Sequence, residues 1–221
     1  MALSDSGQVV FHKEDTGGPN HARLLAPFCD EAVSFADSHA IPLDAVAVSK
    51  GPGSYTGLRI GVSTAKGICY ARGLKLIGVD TLKLLCVPLL LAEELPDDAL
   101  LCPMIDARRM EVYSAIFDRA LRTVRDVQAD IVCDETYNEW LDSHPVYFFG
   151  NGADKCRNTL RHPNAHFISG CEPLAKHMMP LAEMALLRGQ TENVAYFEPF
   201  YLKPFEAKPS KDLLKQVQAN H

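Results

Sequence analysis

Residues 46–80, VAVSKGPGSYTGLRIGVSTAKGICYARGLKLIGVD, restrict the possible folds of this chain more than any other stretch. Ala45 to Ser49 is a short apolar run of the kind that forms a strand buried on both faces, and Lys50-Gly51-Pro52-Gly53 breaks it at once. Thr56 is placed to cap a helix in which Leu58, Val62, Ala65 and Cys69 recur at helical spacing. Arg72-Gly73 then supplies a basic last turn and a stop, and Lys75 to Val79 returns as a strand. The unit is β-loop-α-β with a glycine-rich turn at the strand's carboxyl end, where open α/β sheets hold ligands.

Gly57, Gly61 and Ala65 fall four apart on one face of that helix, and Ser63, Gly67 and Ala71 mark a second small-residue row. A helical glycine costs about 1 kcal/mol relative to alanine, so a close approach must compensate. Two readings stand: tight packing on the chain's own domain, or a face that receives a partner. The turn is not a Walker loop, because Leu58-Arg59 follows Gly57 where Lys and Ser or Thr are needed. Nor is it a dinucleotide fingerprint, since the glycine after Gly51 and Gly53 arrives one residue late. Backbone amides at Gly51, Gly53 and Ser54 remain weak candidates for holding an anion.

The 221 residues, 47% of them hydrophobic, suffice for one large or two small domains with a real core. A net charge of −6 excludes the global positive field of non-specific nucleic-acid binding, so any service to a nucleic acid would run through a partner. The seven cysteines at 29, 69, 86, 102, 133, 156 and 171 have no zinc spacing and read as reduced core thiols of a cytoplasmic protein. The most apolar segment, Leu82 to Leu95, is too short to span a bilayer and carries Lys83, Pro88 and two acids.

Taken in order, Met1 to Ser4 reads as the end of a strand, Asp5-Ser6-Gly7 as a turn and Gln8 to Lys13 as its antiparallel mate. Asn20 to His39 reads as a helix despite Pro27, Thr81 to Glu94 as a third helix, and Pro96-Asp97-Asp98 as a boundary. Beyond it come strands at 100–106, 111–117 and 123–132, a helix at 135–143, a strand at 146–149, a helix at 154–161, a strand at 166–168 and a helix at 173–188. The second half is βββαβαβα. The first is ββαβαβα, the same order without its leading strand, which suggests a duplicated domain.

SKGPGSYTGLRIGVSTAKGI at 49–68, LIGVDT at 76–81, IDARRMEVYSAIFD at 105–118, GNGADK at 150–155 and PFYLKP at 199–204 together resemble the TsaB (YeaZ) family of the tRNA threonylcarbamoyladenosine machinery. The resemblance covers essentially the whole chain. It implies an α/β fold of two actin-like, ribonuclease-H-like (ASKHA) domains, at 1–97 and 98–221, with the tail after about 199 returning to the first. It also implies a non-catalytic subunit, inactive alone, that pairs with a TsaD-like catalytic subunit through its first two helices, about 20–36 and 56–72. Candidate interface residues are His21, Leu25, Phe28, Tyr55, Gly57, Arg59, Gly61 and Ala65. ATP and metal are expected in the partner and no cofactor on this chain alone; a TsaE-like ATPase is implied in bacteria, and tRNA would be met through the complex. Family members usually open with a strand resembling Ile-Leu-x-Ile-Asp-Thr-Ser-Thr. This sequence begins Met1-Ala2-Leu3, as though inside the second strand, so the expectation is a late start and a first domain without its leading strand.

The remaining candidates are weaker. His162 and His166 are four apart, but Pro163 between them opposes a helical metal pair, and the catalytic relatives' histidine ligands have no counterpart in Asp80-Thr81-Leu82-Lys83. Asp106, Arg108 and Arg109 read as an ion network at a hairpin tip. Ser54 and Thr56 lack a His–Asp context that would make either a nucleophile, and Cys69 is a small core residue by default. An ATP-using or glycoprotease-like enzyme and a stand-alone homodimer are the alternatives to a scaffold subunit.

Overall fold

The computed structural model describes residues 1–15, 17 and 20–204. In chain order the elements are β1 (Ala2–Asp5), β2 (Gln8–His12), α1 (His21–Ser38), β3 (Ala45–Gly51), α2 (Tyr55–Arg72), β4 (Lys75–Asp80), α3 (Thr81–Ala92), β5 (Leu100–Asp106), β6 (Glu111–Phe117), β7 (Thr123–Ile131), α4 (Asn138–Leu141), β8 (Val146–Phe149), β9 (Ala165–Ile168) and α5 (Met179–Leu187). Single turns of tighter helix lie at Asp154–Cys156 and Ala175–Met178.

The second half builds a five-stranded sheet in the order β7-β6-β5-β8-β9. β5 is antiparallel to β6 and parallel to β8, which places it in the middle. Its first five residues, Leu100 to Met104, are all buried, as a strand covered on both faces requires. The first half is arranged differently. β1 pairs antiparallel with β2, β3 pairs parallel with β4, and among the described residues no ladder joins the two pairs. The unpaired edges of β1 and β3 both border a cavity of about 400 Å³. This corrects the expectation that Ala45 to Ser49 is buried on both faces: these residues are half-buried, because the cavity lies along their open edge.

Helices cross between the halves. α3 is apolar nearly all round, and Leu82, Leu85, Cys86 and Leu89 pack on Leu101, Ala115, Phe117 and Phe149 of the second sheet. In return, Leu181, Ala182, Ala185 and Leu186 of α5 pack on Ile77 and Val79 of β4. The chain after α5 also crosses: Glu192 N–H donates to Leu76 O at 2.8 Å, and Lys66 Nζ donates to the carbonyls of Ala195 and Phe197 at 3.1 and 3.0 Å.

Three expected helices are shorter than the sequence suggests. The segment 154–161 makes one turn and then a chain of local turns, held by Leu160 N–H to Cys156 O at 2.9 Å and ended before Pro163. The segment 135–143 contributes only the four residues of α4, and 173–188 is split at Met179-Pro180, where the proline sits in the first turn of α5. Among the described residues no helix is long and apolar enough to cross a membrane. The part of the tail beyond residue 204 lies outside the described residues.

The second sheet also holds a buried ion pair, in which Arg125 Nε is left without a hydrogen-bond partner among the described residues. Arg125 Nη2 donates to Asp130 Oδ2 at 2.5 Å and Nη1 to Oδ1 at 3.2 Å; Ser114 Oγ and Tyr137 OH donate to the same Oδ2 at 2.5 and 2.9 Å. The guanidinium lies 5.2 Å from the centre of the Tyr137 ring and 5.4 Å from that of Trp140. Burial pushes the Tyr137 phenol far above its ordinary value, so it stays a neutral donor. Removing one partner leaves the other charge buried and alone, so Asp130→Ala is expected to lower stability by about 3–5 kcal/mol in urea unfolding. A loss under about 1 kcal/mol would mean that Arg125 finds another partner.

Candidate functional site

The turn after β3 is closed by the chain itself. Gly51 has φ +116°, and a Cβ there would stand 2.4 Å from Phe200 O, so only glycine fits. Its N–H donates to Thr81 Oγ1 at 3.1 Å, and Thr81 Oγ1 also shares a 2.5 Å hydrogen bond with Ser49 Oγ. Phe200 N–H donates to Lys50 O at 2.7 Å, holding the carboxyl-terminal segment across the turn. Ser54, rather than the expected Thr56, caps α2, its Oγ accepting from Gly57 N–H at 3.3 Å. Of the three anion candidates, the Gly51 amide donates to Thr81, Ser54 caps the helix through its side chain, and a Cβ on Gly53 would stand 3.9 Å from Leu58.

Next to this turn, Asp80 caps α3 by accepting from Leu82 and Lys83 N–H at 2.8 and 3.1 Å. Burial raises the pKa of this carboxyl. Asp80 shares an open cleft with Lys50 and the carboxyls of Glu192 and Glu198, a lining that opposes phosphate.

Phe200 to Lys203 bring three separate motifs together. Tyr201 packs on Tyr55 with ring centres 4.7 Å apart, and Arg59 sits over the other ring, its Nη1 donating to Tyr55 OH at 3.2 Å. Lys203 pairs with Glu111 at the start of β6. At the other side of that hairpin, Asp106 pairs with Lys155, its N–H donates to Asn151 Oδ1 at 2.9 Å, and its carboxylate accepts from Arg108 N–H at 3.0 Å. Burial acts upward on the Asp106 carboxyl, but Lys155 and the Arg108 amide outweigh it and hold it below the usual range. Gly152 lets these strands meet, since a Cβ would stand 2.9 Å from the Ile105 carbonyl carbon. The hairpin tip is thus a positioning network, and Arg109 takes no part in it beyond its left-handed φ of +48°.

α1 and α2 lie side by side, tied by Arg72 Nη1 to Asp37 Oδ1 at 3.0 Å; this contact holds the Asp37 carboxyl below its usual range. His21 begins α1. Leu25 and Phe28 are half-buried, and Leu25 borders the cavity. On α2, a Cβ on Gly57 would meet only its own cap residue Ser54, a Cβ on Gly61 would stand 3.5 Å from Val48 of β3, and Ala65 is buried with Cys69 and Leu76. Arg59 is exposed. Gly61 and Ala65 of that row therefore face the chain's own sheet. The exposed row is the other one: Ser63 is open, nothing would meet a Cβ on Gly67, and Tyr70 is 88% exposed. Tyr70 was not singled out from the sequence, although an aromatic beside the buried Cys69 necessarily points away from the apolar row.

The histidine pair is separated. His162 Nε2 lies 3.5 Å from Asp142 Oδ1, while His166 stacks on Tyr147 with ring centres 4.9 Å apart. Among the described residues no group of three His, Cys, Asp or Glu side chains is placed to hold a metal ion.

Comparison with known proteins gives this geometry a family. The family model for TsaD, tRNA N6-adenosine threonylcarbamoyltransferase, matches residues 10–210. The chain belongs to this family. Within it the TsaB/YeaZ proteins match along nearly their whole length. The TsaB of Bacillus subtilis strain 168, named as a tRNA threonylcarbamoyladenosine biosynthesis protein, is 28% identical over 198 residues, covering 86% of this chain and 82% of its own. Its namesake in Haemophilus influenzae is 27% identical over 214 residues, covering 92% and 88%. A solved structure of YeaZ from Pseudomonas aeruginosa superimposes with a TM-score of 0.74 at 24% identity, covering 91% of this chain and 92% of that one, so the α/β fold is shared.

In this TsaB/YeaZ chain the motif residues at 49–68, 105–118 and 199–204 meet through Phe200, Tyr201 and Lys203, and 150–155 joins them through Lys155 and Asn151 at Asp106. The Tyr55–Tyr201 contact is the simplest part of that junction to isolate. A double-mutant cycle of Tyr55→Ala and Tyr201→Ala should give a coupling of about 0.5–1.5 kcal/mol in urea unfolding. Strict additivity would mean that the two rings do not support each other in solution.

Proposed function

We propose that the chain is a non-catalytic subunit of the machinery that makes threonylcarbamoyladenosine in tRNA, binding and activating a TsaD-like catalytic subunit. The observation that carries this reading is the closed turn after β3. The position at which related α/β folds hold a ligand is covered by Phe200, the Gly51 amide there is engaged by Thr81, and the adjoining cleft is lined by carboxyls. The names of the TsaB relatives, matched at over four-fifths of their length, supply the pathway. The acidic balance of −6 fits a protein that meets tRNA through its partner.

The docking surface is the outward side of α1 and α2, with Arg59, Ser63, Gly67 and Tyr70 at its centre and Phe28 at its edge. Glycine at 67 lets a partner helix approach the backbone, and an exposed tyrosine beside it is a common anchor. ATP and metal belong to the catalytic subunit, a TsaE-like ATPase completes the bacterial system, and the assembly works in the cytoplasm. The two halves are read as actin-like domains of one ancestry, the first lacking its leading strand.

The test is reconstitution with a TsaD-type subunit, the remaining factors and tRNA. Threonylcarbamoyl transfer is expected only when both proteins are present. Tyr70→Asp, on a side chain that touches little of its own domain, should weaken copurification and transfer at least about tenfold while leaving the unfolding midpoint unchanged. Equal transfer without this chain, or turnover by this chain alone, would overturn the reading.

A further inference from the structure

The loop between β5 and β6 holds a backbone shape that its residues do not favour. Arg108 and Arg109 stand at φ +73° and +48°, in the left-handed region that glycine or asparagine enters most easily. The shape is firmly fixed. Glu111 N–H donates to Arg108 O, Ala107 N–H to Glu111 O and Arg108 N–H to Asp106 Oδ1, each at 3.0 Å. A turn required only for its shape is made with less strain by glycine or asparagine, so two consecutive arginines mark their side chains as what the position requires.

Those side chains do nothing inside the chain. Both are exposed, and neither guanidinium has a hydrogen bond or ion pair among the described residues. The carboxylates of the same network are already matched, Asp106 by Lys155 and Glu111 by Lys203. Four cations, Arg108, Arg109, Lys155 and Lys203, therefore stand against two carboxylates, and the tip is positive on a chain whose net charge is −6. No apolar anchor sits at the tip, since Met110 packs against the core of the second sheet and Ala107 is half-buried. Protein interfaces centre on apolar and aromatic anchors, whereas a phosphate backbone asks for cations held in fixed positions. The tip also continues the proposed docking face. Lys203, paired with Glu111, follows closely on Tyr201, whose ring packs on Tyr55 beside Arg59 of α2.

We propose that Arg108 and Arg109 bind the phosphate backbone of the tRNA while the catalytic subunit holds it. The inference rests on the reading of this chain as a subunit of the tRNA-modifying assembly, and it adds a contact that this chain makes itself. Each guanidinium can present paired N–H groups to phosphate oxygens and displace a condensed counterion. The fixed turn keeps both in place before the tRNA arrives, which reduces the ordering that binding requires. The acidic balance of the chain is compatible with this role: two guanidiniums alone hold a polyanion weakly, and they add to affinity once the partner has brought it near. Such a contact sets the position of the tRNA and reads no base.

The test is the affinity of unmodified tRNA for the complex of this chain with a TsaD-type subunit, measured between about 50 and 200 mM salt. The double variant Arg108→Asn, Arg109→Asn suits the left-handed backbone, so it should unfold no earlier than the natural chain and copurify with the subunit as before. Its complex should bind tRNA at least about tenfold more weakly at the lowest salt, and the slope of log affinity against log salt should become shallower by about 1–2. Arg108→Lys with Arg109→Lys keeps both charges and should keep the slope. An unchanged slope in an asparagine-variant complex that still forms would overturn the proposal and leave the subunit reading standing. Loss of copurification by that variant would overturn it as well, because the guanidiniums would then face an acidic surface of the catalytic subunit. If the natural chain forms no complex with the subunit, the subunit reading falls and this inference falls with it.

Discussion

The burial of α3 against the second sheet, and of α5 against the first, is the interaction on which the rest of this structure depends. Leu82, Leu85 and Leu89 leave the half of the chain that encodes them and complete the core around Leu101 and Phe149. Leu181 and Leu186 return the exchange at Ile77 and Val79. Each sheet loses the cover of one face if the other half is removed, so the boundary at Pro96 divides the sequence more cleanly than it divides the core. The area of apolar surface involved is of the kind that dominates folding energetics, and it couples the halves into one unit.

That coupling explains why the motifs gather where they do. With α5 seated on the first sheet, the following chain is delivered along β4, past Leu76, and over the turn at Gly51. Phe200, Tyr201 and Lys203 then touch the first strand-helix unit and the β5-β6 hairpin in four residues. Glycine at 51 admits the Phe200 carbonyl, and glycine at 152 admits the backbone of Ile105 and Asp106. A turn that in other α/β proteins faces a ligand faces its own chain here.

Much of the central unit was legible from residues 46–80, because a buried strand, a breaking turn and an amphipathic helix each impose a distinct spacing. The cap was misread as Thr56 because either hydroxyl can serve, and only the geometry of the Gly53-Ser54 bend decides between them. The direction of the small-residue rows needed the structure. Spacing shows that Gly57, Gly61 and Ala65 share a face, but not that Val48 lies beneath it. The helix exchange was hidden for the same reason: α3 is apolar on nearly every side, so its pattern says that it is buried without saying by what. The absent ladder between β1 and β3 was foreshadowed by element order alone, while the half-burial of Val46 and Val48 required coordinates.

The proposed docking face lies on the outer side of α1 and α2, where Arg59, Ser63, Gly67 and Tyr70 are exposed. Hydrogen exchange on the chain alone and in the presence of a TsaD-type subunit tests this directly, because amides under a docked helix slow and those elsewhere do not. The account requires added protection in peptides covering 21–38 and 55–72, with 123–131 on the far sheet unchanged. Protection confined to the cleft at Lys50 and Asp80, or to the second sheet, would contradict it.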